Sequence, residues 1–120
     1  MATDPTVIND GTADKTYKLV SLTEKEALWR DQATSMSEPS TLRISHQPAK
    51  DSSGLDRHLI ALSMINEDED DEQTPYQGTV HVVIAAPRKA VTEAELLKEW
   101  IKLETYITAN FAALYDGFMP

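Results

Sequence analysis

The sequence predicts an α+β domain: an N-terminal β-hairpin, then an antiparallel meander sheet, with C-terminal helices on one face of that sheet. Three observations carry this. Several segments alternate apolar and polar residues with period two, the mark of strands with one buried face. Asp10-Gly11 stands between the first two of them, as a hairpin turn requires. One long amphipathic helix follows the last strand, and no second long helix accompanies it. Its apolar stripe (Leu96, Leu97, Trp100, Leu103, Ile107, Phe111, Leu114) is too wide for a thin layer of strands in one chain. Part of the stripe is therefore expected to bury itself in a second copy. The fold class includes an intertwined homodimer, with Leu96, Trp100, Leu103, Ile107 and Phe111 at the interface.

Taken in order, Thr6-Val7-Ile8 is a short strand and residues 16–22 return from the Asp10-Gly11 turn, so 1–22 form the hairpin. Residues 23–36 are ambiguous. Thr23-Glu24-Lys25-Glu26 resembles a helix cap, but the apolar run after it is short, and Ala27-Leu28-Trp29-Arg30 reads better as a strand beside the hairpin. Ser35 to Pro39 is a loop by composition. Residues 41–47 alternate cleanly, and residues 55–65 place His58, Ile60, Leu62 and Met64 on one face and Arg57, Leu59, Ala61 and Ser63 on the other. The acids that follow make 66–75 a loop, because like charges in a row repel. Residues 76–86 return antiparallel, completing a sheet over 23–86.

Residues 91–117 form the helical segment of this single 1–120 domain. Thr92-Glu93-Ala94-Glu95 fits a capping box, with Val91 and Leu96 at the staple positions. Glu95–Lys98 and Glu99–Lys102 are i,i+3 partners. Asn110 marks a bend before a short terminal helix over 111–115, and Gly117 ends it.

Composition narrows the function classes. The chain has 120 residues, enough for one modest core. There is no apolar run long enough to cross a bilayer as a helix. Met1-Ala2-Thr3-Asp4-Pro5 lacks the basic and apolar regions of a signal peptide, so none is expected. Cysteine is absent, which removes disulfides, thiol nucleophiles and thiolate metal sites. Nothing resembles a Gly-x-Ser-x-Gly elbow or a glycine-rich phosphate loop, so no enzyme, catalytic residue or cofactor is expected. His46 and His58 share the core-facing parity while His81 has the opposite one, so the three histidines do not converge and no metal site is expected. The net charge of −9 argues against a generic nucleic-acid binder. Six acids, however, sit in one run (Glu67, Asp68, Glu69, Asp70, Asp71, Glu72), leaving 14 acids against 11 bases elsewhere. That run lacks the ligand spacing and central glycine of a calcium loop and reads as a solvated loop.

The sheet face opposite the core carries the sharper signal. By parity it presents Arg43, Ser45 and Gln47, then Arg57, Leu59, Ala61 and Ser63, then Gln77, Thr79, His81 and Val83. These spans hold hydroxyls, small residues and two arginines, with no acid, in a chain that has 20 of them. An ordinary polar face is one reading. The other is that acids are kept away from a polyanion.

This order of elements resembles the coat proteins of single-stranded RNA bacteriophages, the levivirus type. The matching parts are the hairpin around Asp10-Gly11, strands 41–47 and 55–65, loop 66–75, strand 76–86 and the tail VTEAELLKEWIKLETYITANFAAL. The resemblance rests on element order, length and tail pattern across nearly the whole chain. It implies a dimer with a continuous ten-stranded sheet, each subunit's helices crossing onto its partner. It implies icosahedral assembly, with the six-acid loop between dimers at the symmetry axes. It further implies a virion location after assembly in the cytoplasm of a bacterial host. The inward sheet face would bind genomic RNA through a hairpin and repress translation. Carried over by strand position, the RNA-facing set is Arg43, Ser45, Gln47, Arg57, Leu59, Ser63, Thr79 and His81. The strongly acidic composition departs from the pattern of a genome-lined shell. The alternative is a small cytosolic dimeric α+β binding module that takes no RNA.

Overall fold

A computed structural model of the chain describes residues 3–50, 54–69 and 74–117. Two compact units make it up, Met1–Ala86 and Pro87–Pro120. The first is a six-stranded sheet in the order β1-β2-β3-β4-β5-β6, so every strand lies beside its neighbours in sequence. The strands are β1 (Thr6–Asn9), β2 (Asp14–Leu22), β3 (Glu26–Asp31), β4 (Ser40–Gln47), β5 (Leu55–Asp68) and β6 (Thr74–Pro87). The second unit holds one helix, α1 (Glu93–Asp116). This is the predicted meander, and the ambiguous segment around Trp29 is a strand.

Local chemistry explains the turns. At the first hairpin Gly11 takes φ +96°, a conformation that L side chains rarely adopt. The Asp10 carboxylate accepts from the Thr12 and Ala13 N–H groups, each at 2.9 Å. Those bonds hold the Asp10 carboxyl below its ordinary pKa. Asp31 N-terminal to the β3–β4 connection plays a similar part, accepting from Ala33 N–H at 3.0 Å. The register shifts between Leu19 and Ser21, so β2 carries an irregularity there.

One boundary differs from expectation. The loop placed at 66–75 is shorter: β5 continues through Glu67 and Asp68, and β6 already begins at Thr74. In a strand, successive side chains point to opposite faces, so neighbouring acids are separated rather than stacked. The Glu67 N–H is also claimed by Glu38 Oε2 at 3.0 Å, which ties the strand end to the β3–β4 connection. Asp70, Asp71 and Glu72 lie outside the described residues.

The core is small and one-sided. Tyr17, Ala27, Trp29 and Leu42 are buried, with Ile8, Leu19, Ile44 and Ile60 packed against them. Leu19 pairs with Trp29, Trp29 with Leu42, and Leu42 with Leu62, so these residues share one face. Trp29 also donates from Nε1 to the Thr3 carbonyl at 2.7 Å, satisfying its polar tip.

In the second unit the predicted capping box is present. Thr92 Oγ1 accepts from Glu95 N–H at 3.2 Å, and Glu95 Oε1 accepts from Thr92 N–H at 3.0 Å. Lys102 Nζ and Glu99 Oε1 pair at 3.0 Å. Asn110 leaves the helical region (φ −122°, ψ 18°), and its Nδ2 donates to the Tyr106 carbonyl at 2.9 Å, the acceptor of the i−4 position. Gly117 closes the helix in the left-handed conformation, as expected of a C′ glycine. No helix of the described residues is long and apolar enough to cross a membrane.

Candidate nucleic-acid interface

The β4–β5 ladder builds the face opposite the core. Its register pairs Thr41 with Ser63, Arg43 with Ala61, Ser45 with Leu59 and Gln47 with Arg57. Directly opposed residues in an antiparallel pair share a face. The expected parity of Arg43, Ser45, Gln47, Arg57, Leu59 and Ser63 therefore holds. β6 joins them through Ser63 Oγ and Thr79 Oγ1, 3.1 Å apart, while Gln77 Nε2 donates to the same Thr79 oxygen at 3.3 Å.

Part of this face is concave. Thr41, Arg43, Leu59, Ala61, Ser63, Gln77, Thr79 and His81 line a shallow, open depression of about 300 Å³. Five of the eight predicted residues thus meet in one place: Arg43, Leu59, Ser63, Thr79 and His81. Ser45, Gln47 and Arg57 share the face by register but lie beyond the lining, toward the β4–β5 turn. Leu59 and Ala61 make the floor apolar, and Ser63, Thr79 and Gln77 supply donors and acceptors. A base removed from its stack needs that combination: a flat apolar contact with hydrogen bonds at its edge.

β3 supplies residues that the sequence reading missed. Glu26 lies opposite Ser45, Leu28 opposite Arg43 and Arg30 opposite Thr41, all on the depression's side. Glu26 Oε1 and Arg43 Nε form an ion pair at 3.0 Å, both about half exposed. The face is therefore not acid-free once β3 is included. Screening at that exposure makes the pair weak, so Arg43 remains available to another anion. Arg30 donates from Nη2 to the Thr34 carbonyl, and its buried Nε has no hydrogen-bond partner among the described residues. Thr41 was legible, since it shares the alternation of Arg43. The β3 residues were not, because their facing depends on the register between two strands.

The predicted dimer residues all fall on α1. Leu96 and Ile107 are half-buried, while Trp100, Leu103 and Phe111 are exposed, and no residue of the helix is buried. Of the acidic run, Glu67 and Asp68 end β5 and Glu69 follows them. Among the described residues, no group of three or more His, Cys, Asp or Glu side chains is placed to hold a metal ion.

No family model matches this sequence, and no curated protein matches it. Solved structures do. A chain of the virus-like particle of bacteriophage AVE019 superposes with a TM-score of 0.78 at 10% identity, covering 99% of this chain and 98% of that one. The virus-like particle of bacteriophage ESE058 gives 0.74 at 13% identity, with 100% of both chains covered. The virus-like particle of Beihai levi-like virus 21 gives 0.69 at 15% identity, covering 100% and 98%. The chain has the fold of these phage particle proteins. At such identities the phage-particle fold is shared through backbone path and element order. The depression between β4, β5 and β6 stands on its own geometry, since few side chains are held in common.

Proposed function

We propose that this chain is the coat protein of a levi-like RNA phage. It is a structural subunit that dimerises, assembles into an icosahedral shell in the bacterial host's cytoplasm, and meets genomic RNA on the Arg43 face. The observation that carries this reading is the end-to-end fold likeness to virus-like particle chains.

Two physical features support self-association. β6 is an edge strand of 14 residues. Along it Val80 is 62% exposed, and Val83 and Ile84 are open as well. The outer edge of a long strand is a template for another strand, and pairing it with its own copy would continue the sheet across a two-fold axis. The exposed ridge of α1 gives the dimer its second contact. Leu96, Trp100, Leu103, Ile107 and Phe111 would bury there, as a surface too apolar for a monomer.

RNA is the ligand of the opposite face because Arg43 and hydroxyls gather there around an apolar floor, with Arg57 farther along the same face. Recognition would run through unstacked bases of a hairpin, and the same contact would repress translation of the message that carries it. The acids at 67–72 would lie between dimers, where their mutual repulsion makes assembly sensitive to pH and cations.

Expression of the chain alone, followed by electron microscopy and sedimentation, tests the reading. Uniform closed particles with nuclease-protected RNA are expected. A dispersed monomer would overturn both dimer and coat. A soluble dimer that never forms particles would replace the coat reading with the small binding module.

A further inference from the structure

We propose that His46 and His58 form a binding site for a divalent metal ion of tetragonal preference, Cu²⁺ or Ni²⁺. The two residues are directly opposed in the β4–β5 ladder. Their Nδ1 atoms lie 2.7 Å apart, with ring centroids at 4.9 Å and planes at 70°. One Nδ1 must donate and the other accept at that distance, so a single proton sits between two imidazole nitrogens. A metal ion can take that proton's place, since neutral imidazole is the ligating form.

The spacing selects among metals. Bonds of about 2.0–2.1 Å to imidazole nitrogen put adjacent corners of a square about 2.9 Å apart, against about 3.4 Å for a tetrahedron. The pair is already close to the square spacing, and each ring must turn to aim its lone pair off the N···N line at one ion. Copper(II) also heads the affinity order for nitrogen ligands. The ladder on either side fixes the geometry: registered pairs run without a break from Ser40↔Met64 to Gln47↔Arg57. His46 is further anchored by its N–H, which donates to the Lys25 carbonyl at 2.8 Å. His46 is exposed and His58 half-buried, so water can complete the coordination shell. Asp56 shares the β5 face with His58, and its carboxylate accepts from Ala49 N–H at 2.7 Å. It adds negative charge near the ion, while Lys25, which precedes β3 and borders the same hollow as His46, opposes it. The site is built by one chain and does not depend on the coat reading.

Copper(II) titration of the full chain near neutral pH, followed by electron paramagnetic resonance, tests it. One equivalent per chain with hyperfine coupling to two nitrogens is expected. His46→Gln and His58→Gln should each lose that signal, and His81→Gln should keep it. An oxygen-only spectrum, which would put the ion on the acidic residues, overturns the proposal. So does a two-nitrogen signal that survives both substitutions, or no stoichiometric binding at all. An oxygen-only spectrum of the unaltered protein rejects the site by itself, even where a variant folds poorly.

Discussion

The two ends of the sheet are built on different terms. Around β2, β3 and β4 the face bearing Trp29 closes on itself: Tyr17, Ala27, Trp29 and Leu42 are buried, and the N-terminal segment reaches the indole through Thr3. At β5 and β6 the same face is apolar and open, with Leu62, Met64, Val80 and Ile84 all exposed. Apolar character does not separate the two ends, since both have it. Cover does. One end covers its apolar surface within the chain, and the other, like the ridge of α1, leaves it exposed. A chain of this size has little core to spare, so the open apolar end is where the proposed partner would add most.

The sharpest break of that contrast is at the closed end. Trp29→Ala removes a side chain that is 4% exposed and leaves a cavity among its neighbours. It should lower stability by about 3–5 kcal/mol and abolish cooperative unfolding in a denaturant titration followed by circular dichroism. At the open end the expected outcome differs in kind. Trp100 is 39% exposed in the single chain, so Trp100→Ala costs the isolated helix little. The loss should appear in association, on the order of 2 kcal/mol or more if Trp100 anchors the interface, read as a shift from dimer to monomer in sedimentation with the far-ultraviolet spectrum kept. A dimer that sediments unchanged would remove α1 from the interface.

The opposite face sharpens the contrast further, because its side chains bear on a ligand rather than on cover. Arg43→Glu with Arg57→Glu should leave particles intact and lower their nucleic-acid content, seen as a reduced A260/A280 ratio. Glu26→Gln should act in the other direction, since it frees Arg43 from its ion pair. An unchanged ratio in both variants would detach this face from RNA.

How much of this was legible follows from what period-two alternation can encode. Alternation within one strand fixes which residues share a side, so Arg43 with Ser45 and Arg57 with Ser63 were readable before any register was known. Pairing between strands was not. That Glu26 would reach Arg43, and that His46 would meet His58 across the ladder, depends on where each turn sets the register. The end of β5 was misjudged for a related reason. Charge repulsion argues against a strand only if the acids face one another, and Glu67 and Asp68 point to opposite sides. The helix was legible to its last turn because its signals are local: a capping box, an asparagine bend and a terminal glycine.

That local character sets the smallest predicted effect. Glu95 is held below its ordinary pKa of 4.5, chiefly by the Thr92 N–H it accepts from, then by the Thr92 hydroxyl. A depressed carboxylate contributes stability that is present above the unfolded value and is lost as pH falls through the folded one. Helix content measured by circular dichroism should therefore be constant near neutrality and decline as pH drops below 4.5. Glu95→Gln should flatten part of that decline, because an amide still accepts the bond without titrating. Thr92→Ala removes the reciprocal acceptor as well and should cost about 0.5–2 kcal/mol at neutral pH. Both changes act on α1 alone. If either altered the unfolding of the Trp29 end as strongly as it altered the helix, the two units would share one cooperative transition, and the contrast between a self-covered sheet and a partner-seeking helix would not hold.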